Sequence, residues 1–105
     1  MPIFEPAINE QGAIELLRNG ASLIIEALED ARMDGGGGIR GTWKISITTS
    51  EGHSFVIKLA NQDKIKLYRT TLAIGTLFNS GGFLDATIPL KKGRVSTLAS
   101  TNDHT

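Results

Sequence analysis

The stretch Arg40–Thr71, RGTWKISITTSEGHSFVIKLANQDKIKLYRTT, constrains the fold more than any other part of the chain. Apolar and polar residues alternate in it with the period of a strand that has one buried face. Trp43, Ile45 and Ile47 share one face, and Lys44, Ser46 and Thr48 the other. Phe55, Ile57 and Leu59 repeat the pattern. A slip of one residue would turn a whole apolar set into water, so register follows from matching the apolar faces. That pairs Trp43 with Leu59, Ile45 with Ile57, and Ile47 with Phe55, leaving Ser50-Glu51-Gly52 as the turn. A three-residue hairpin loop favours glycine at its last, left-handed position, where Gly52 stands.

The same arithmetic sets Ile65 and Leu67 opposite Leu59 and Ile57, with Asn61-Gln62-Asp63 as the second turn. The polar face then carries Lys44, Lys58 and Lys66 in one row, and Ser46, Val56 and Tyr68 in the next. Like charges directly opposite one another repel by up to ~1 kcal/mol. An anionic ligand, an acidic partner or the chain's own carboxylates would offset this. The plainer alternative is that three flexible ammonium groups splay apart in water.

The remaining elements are read from pattern. Asn9 is an N-cap with Glu10 in the first turn. Ile14, Leu17, Ala21, Ile24, Leu28 and Ala31 then follow helical spacing through Gly20, which predicts one long N-terminal helix of about six turns. Asn19-Gly20 is the alternative stop. Leu16, Leu23 and Ala27 widen the apolar stripe and are the candidate interface of a homodimer. Gly35–Gly38 ends the helix as a linker; it neither precedes a helix nor matches a phosphate-binding loop. Beyond Thr71 the residues favour a second hairpin turning at Asn79–Gly82, in which Phe78 faces Phe83. Phe83–Leu90 reads as a strand in either case. The fold class expected is α+β, the long helix packing on an antiparallel sheet of four to five strands. The alternative has three or four strands and a second helix at about 62–79. Residues 1–90 are expected to form a single domain, and 91–105 a mobile tail.

Composition narrows the chemistry. At 105 residues the chain suffices for one core without staples. It has no cysteine, so thiol catalysis and cysteine metal sites are excluded. His53 and His104 have no metal-ligand partner at a usable spacing. Glu26, Glu29, Asp30 and Asp34 read as the solvated face of the helix. No nucleophile–base or cofactor motif is present, so the expectation is a non-enzyme without cofactor or metal. There is no apolar run of membrane-spanning length and no leader pattern, which makes the cytoplasm the default location. The formal net charge is zero, yet residues 1–34 hold seven acids and two bases while residues 35–105 hold nine bases and four acids. That split suits two surfaces for different partners.

Two functions fit. The first is a small dimeric accessory or inhibitor protein that occupies the surface of an unidentified protein, an acidic one if it meets the lysines. The second is an anion-binding sheet for single-stranded nucleic acid or a phosphorylated small molecule. Lys44, Lys58, Lys66 and Tyr68 would line that surface, with Arg40 and Arg69 at its margin. Only Tyr68 would supply a stacking aromatic, and neutrality disfavours general phosphate binding, so nucleic acid ranks second.

Overall fold

The computed structural model describes residues 6–33, 35, 38–60, 62, 64–83 and 87–99. The elements run β1 (Ala7–Asn9), α1 (Glu10–Arg18), β2 (Ser22–Ala27), β3 (Arg32–Met33), β4 (Ile39–Thr48), β5 (Ser54–Lys58), β6 (Leu67–Thr70), α2 (Thr71–Ser80) and β7 (Val95–Ala99). The fold is α+β, with two helices and a mixed sheet of seven strands among the described residues. The strand order is β1-β5-β4-β2-β7; β3 and β6 also pair with β4. β1 runs parallel to β5, and the other strand pairs are antiparallel.

The long N-terminal helix is corrected first. Asn9 does cap α1, its side chain accepting from the Gly12 amide at 2.8 Å. The helix stops at Arg18 because the chain turns left-handed at Gly20 (φ +98°). The Ala21 amide then donates to Leu16 and the Gly20 amide to Leu17, satisfying two carbonyls that the helix end would orphan. After the stop, Leu23, Ile25 and Ala27 alternate inward with Ser22, Ile24 and Glu26, so the stretch is a central strand. A short apolar run fits both periods, and the branched Ile24-Ile25 pair favours the strand.

The second correction lies after Thr71. The expected hairpin is helix α2, capped by the Thr70 hydroxyl, which accepts from the Ala73 amide at 3.2 Å. Asn79–Gly82 acts as a helix stop: the Phe83 amide donates to Phe78 and the Gly82 amide to Asn79. Phe78 and Phe83 do meet, edge to face at 5.1 Å, but across that stop. Nor do the described residues of the expected strand, Phe83 and 87–90, form one. The Pro89 carbonyl accepts from the Trp43 indole at 2.7 Å, and the Leu90 carbonyl from the Ala31 amide. Leu84, Asp85 and Ala86 lie outside the described residues.

Two loops also change meaning. Met33 pairs with Ile39, so the glycine run joins two antiparallel strands, β3 and β4, and does not follow a helix. The expected mobile tail contributes β7, because Val95 and Thr97 alternate with Ser96 and Leu98 against β2; residues 100–105 lie outside the description. The first hairpin turns where it was expected, with Ile47 paired to Phe55 and Gly52 at φ +89°. Its far end differs: β5 stops at Lys58, and Trp43 pairs with Tyr68 of β6, not with Leu59.

Both helices pack on one face of the sheet. Ala13 and Leu17 of α1 and Ile74, Leu77 and Phe78 of α2 share one core with Leu23, Ile25, Trp43, Ile45, Ile47, Ile57 and Tyr68. Among the described elements no helix covers the other face, which carries Ser22, Ile24, Glu26, Lys44 and Ser46. No described helix is long and apolar enough to cross a membrane.

Candidate functional site

The lysine row fails by one residue of register. Ile65 bridges to Lys58 instead of Leu59, and the Lys66 amide donates to the Ile57 carbonyl. A one-residue slip reverses every side chain after it. Leu67 therefore lies opposite Lys44, while Tyr68 lies opposite Trp43 on the helix-covered face. Lys66 follows Tyr68 to that face. Its ammonium group meets Glu10 of α1 at 3.1 Å and stands 5.2 Å from the Tyr68 ring centre.

The other expected site residues are dispersed. Lys44 lies opposite Glu26 of β2 on the uncovered face. Arg40 lies between Arg32 and Thr70. Arg69 turns its guanidinium to the Thr42 hydroxyl at 3.3 Å, and that hydroxyl donates to Glu29. Lys58 borders a hollow of about 450 Å³ that it shares with Asn9, Glu10, Gln11 and Lys66. Of the proposed dimer residues, Leu23 and Ala27 are buried in the core of the single chain, because they belong to a central strand. Leu16 is half-buried against that core. The acids read as one helix face separate as well. Glu29 binds Thr42, and Asp30 accepts from the Lys92 amide at 2.9 Å. Asp34 and His104 lie outside the described residues, and His53 is exposed beside Glu51. No group of metal-ligating side chains occurs among the described residues.

What the fold does assemble is a groove of about 520 Å³ between α1 and α2, beside β6. The C-terminal ends of the helices meet: Arg18 Nε donates to the Ser80 carbonyl at 2.8 Å, and Gly81 lies against Leu17. α1 contributes Glu10 and Ile14; α2 contributes Leu72, Ala73, Thr76, Leu77 and Ser80, which recur at helical spacing. β6 and the residue before it contribute Lys66, Leu67, Tyr68, Arg69 and Thr70. Three expected binding residues, Lys66, Tyr68 and Arg69, are thus on its border. Leu72 is 79% exposed and stands at its mouth.

Glu10 organises the polar end. Its Oε2 accepts from the Tyr68 hydroxyl at 2.5 Å and from Lys66 Nζ. Burial of the phenol, then its bond to Glu10 and the carboxylate's charge, raise the Tyr68 pKa well above its ordinary value. Tyr68 is therefore a fixed donor, not a phenolate. The groove thus joins apolar walls to a satisfied polar triad and to the cationic side chains of Lys66 and, across the triad, Lys58. Glu10 was read from sequence only as a first-turn acid. Leu72, Ala73 and Thr76 show their i, i+1, i+4 face only once 71–80 is accepted as a helix.

Comparison with known protein families, curated proteins and solved structures gave no match.

Proposed function

We propose that this chain is a non-enzymatic protein-binding module that seats an apolar side chain of an acidic partner segment in the groove between α1 and α2. The observation that supports this most is the groove itself: an open cleft with apolar walls, lined in part by a largely exposed Leu72. Exposed leucine at the rim of a concave apolar surface has the character of a protein contact site. The charges nearby choose the partner. Glu10 and Lys66 neutralise each other, which leaves Lys58 in the adjoining hollow to attract an acid next to the anchoring side chain. The protein then acts by occupation, as an accessory or inhibitor of what it binds. An anion-binding sheet has less support, since Lys44 and Lys66 stand on opposite faces and Tyr68 is buried.

Selection from a random displayed-peptide library tests the reading. Enriched peptides should carry Leu, Ile or Phe beside Asp or Glu, and binding should be lost in Thr76→Trp, which fills the groove. Enrichment of basic peptides, absence of enrichment, or binding unchanged by Thr76→Trp would overturn it.

A further inference from the structure

We infer that the outer edge of β7 is a self-association site, at which two copies of the chain pair antiparallel to continue the sheet. The hydrogen bonding of β7 to β2 determines which groups remain. The Ala27 amide donates to the Arg94 carbonyl at 3.0 Å, and the Gly93 amide to Ala27 at 2.8 Å. In an antiparallel ladder, residues alternate between bonding the neighbour and pointing away from it. With Val95 opposite Glu26, Ser96 opposite Ile25 and Thr97 opposite Ile24, the pairs that bond β2 fall at Ser96 and Leu98. The amides and carbonyls of Val95 and Thr97 therefore point outward. No backbone bond to either is found outside the sheet among the described residues.

An open strand edge is ordinarily guarded by charge, proline or brevity. The opposite edge, β1, has three residues and passes directly into α1. β7 has five residues, VSTLA, with no charge and no proline, and it exposes 57% of Val95. Its entry is held in place by Asp30 on the Lys92 amide, so the edge is formed in advance.

Two features select a second copy as the occupant. Val95, Thr97 and Ala99 lie at two-residue spacing, so a twofold axis at Thr97 makes the ladder complementary to itself. The exposed Lys91, Lys92 and Arg94 precede the strand. In a parallel pairing these clusters would abut, whereas the antiparallel one sets the two Arg94 residues roughly 20 Å apart, beyond screening range. A hollow of about 550 Å³ bordered by Leu90, Arg94, Val95 and Ser96 lies beside the first half of β7, and the far end of the partner strand would cover it.

Sedimentation velocity across a concentration series tests the site. The wild type should pass from monomer to dimer as concentration rises. Thr97→Pro removes an outward amide that β2 does not use, and should raise the dimer dissociation constant ~10-fold or more. Thr97→Lys sets two ammonium groups face to face at the axis and should have the same effect, which covers a Thr97→Pro chain that fails to fold. Thr76→Trp should leave the dimer intact, so failure here is separable from failure of the groove. In hydrogen exchange, the Thr97 amide should be slower in the dimer. A wild type that stays monomeric, or a dimer undiminished in the Thr97→Lys chain, would overturn the inference.

Discussion

The hydroxyl of Tyr68 in β6 donates to the carboxylate of Glu10 in α1 across 2.5 Å, tying the sheet to the first turn of the helix. The two residues are 58 positions apart in sequence, and both line the groove.

That bond can be followed by absorbance, because Tyr68 is the only tyrosine. Burial and the Glu10 carboxylate raise its pKa above the ordinary 10. A folded pKa above the unfolded one means stability that is complete below about pH 10 and is lost as pH rises further. The phenolate band should therefore stay absent in the folded protein at pH 10–11, where a free tyrosine is half or more ionised, and should appear together with unfolding. Tyr68→Phe keeps the buried ring and loses the donor. It should cost about 1–2 kcal/mol in urea denaturation and weaken the alkaline loss of stability. A phenolate that titrates near pH 10 while near-ultraviolet circular dichroism stays native would contradict the bond.

Two glycines should respond in opposite directions to alanine. A methyl group at Gly41 would lie 2.8 Å from the ring of Trp43, which is fully buried and bonded to the Pro89 carbonyl. Gly41→Ala should destabilise the fold by about 1–3 kcal/mol. At Gly75, inside α2, the same methyl group meets nothing within 4 Å. Gly75→Ala should stabilise by about 0.5–1 kcal/mol, because alanine loses less backbone freedom in a helix. Thermal melts of the two variants check both signs.

The first hairpin was legible in the sequence because two independent signals agreed, the apolar alternation and glycine at the left-handed turn position. Elsewhere one signal served two structures. Asn19-Gly20 fits inside a helical stripe or at a helix stop, and Asn79–Gly82 fits a hairpin turn or a helix stop; the backbone bonds at Ala21 and Phe83 decide. Ile24 and Leu28 fitted a helical stripe because few residues are needed to fit either period. The candidate site depended on Lys66. Its face follows from the bridge between Lys58 and Ile65, and no local pattern chooses that over Leu59 with Ile65. Leu72 is no site candidate from sequence, because an exposed leucine has meaning only beside a concave surface.

Lys58 should act on the rate of encounter more than on the lifetime of the complex. It lies beside the groove without forming its apolar wall. Lys58→Glu should lower the association rate of an acidic selected peptide several-fold at low salt, with the difference shrinking as salt rises, and should leave dissociation nearly unchanged. Stopped-flow measurements at several salt concentrations check this; equal association rates for both chains would remove Lys58 from recognition.

The groove is tested most directly by titrating a selected apolar–acidic peptide into the isotope-labelled protein and mapping the amide resonances that move. The shifts should centre on Ile14, Leu72, Ala73 and Thr76, saturate at one equivalent and spare Ser46 on the uncovered face. Shifts confined to that uncovered face, with Leu72 and Thr76 unmoved, would contradict a binding site between the helices.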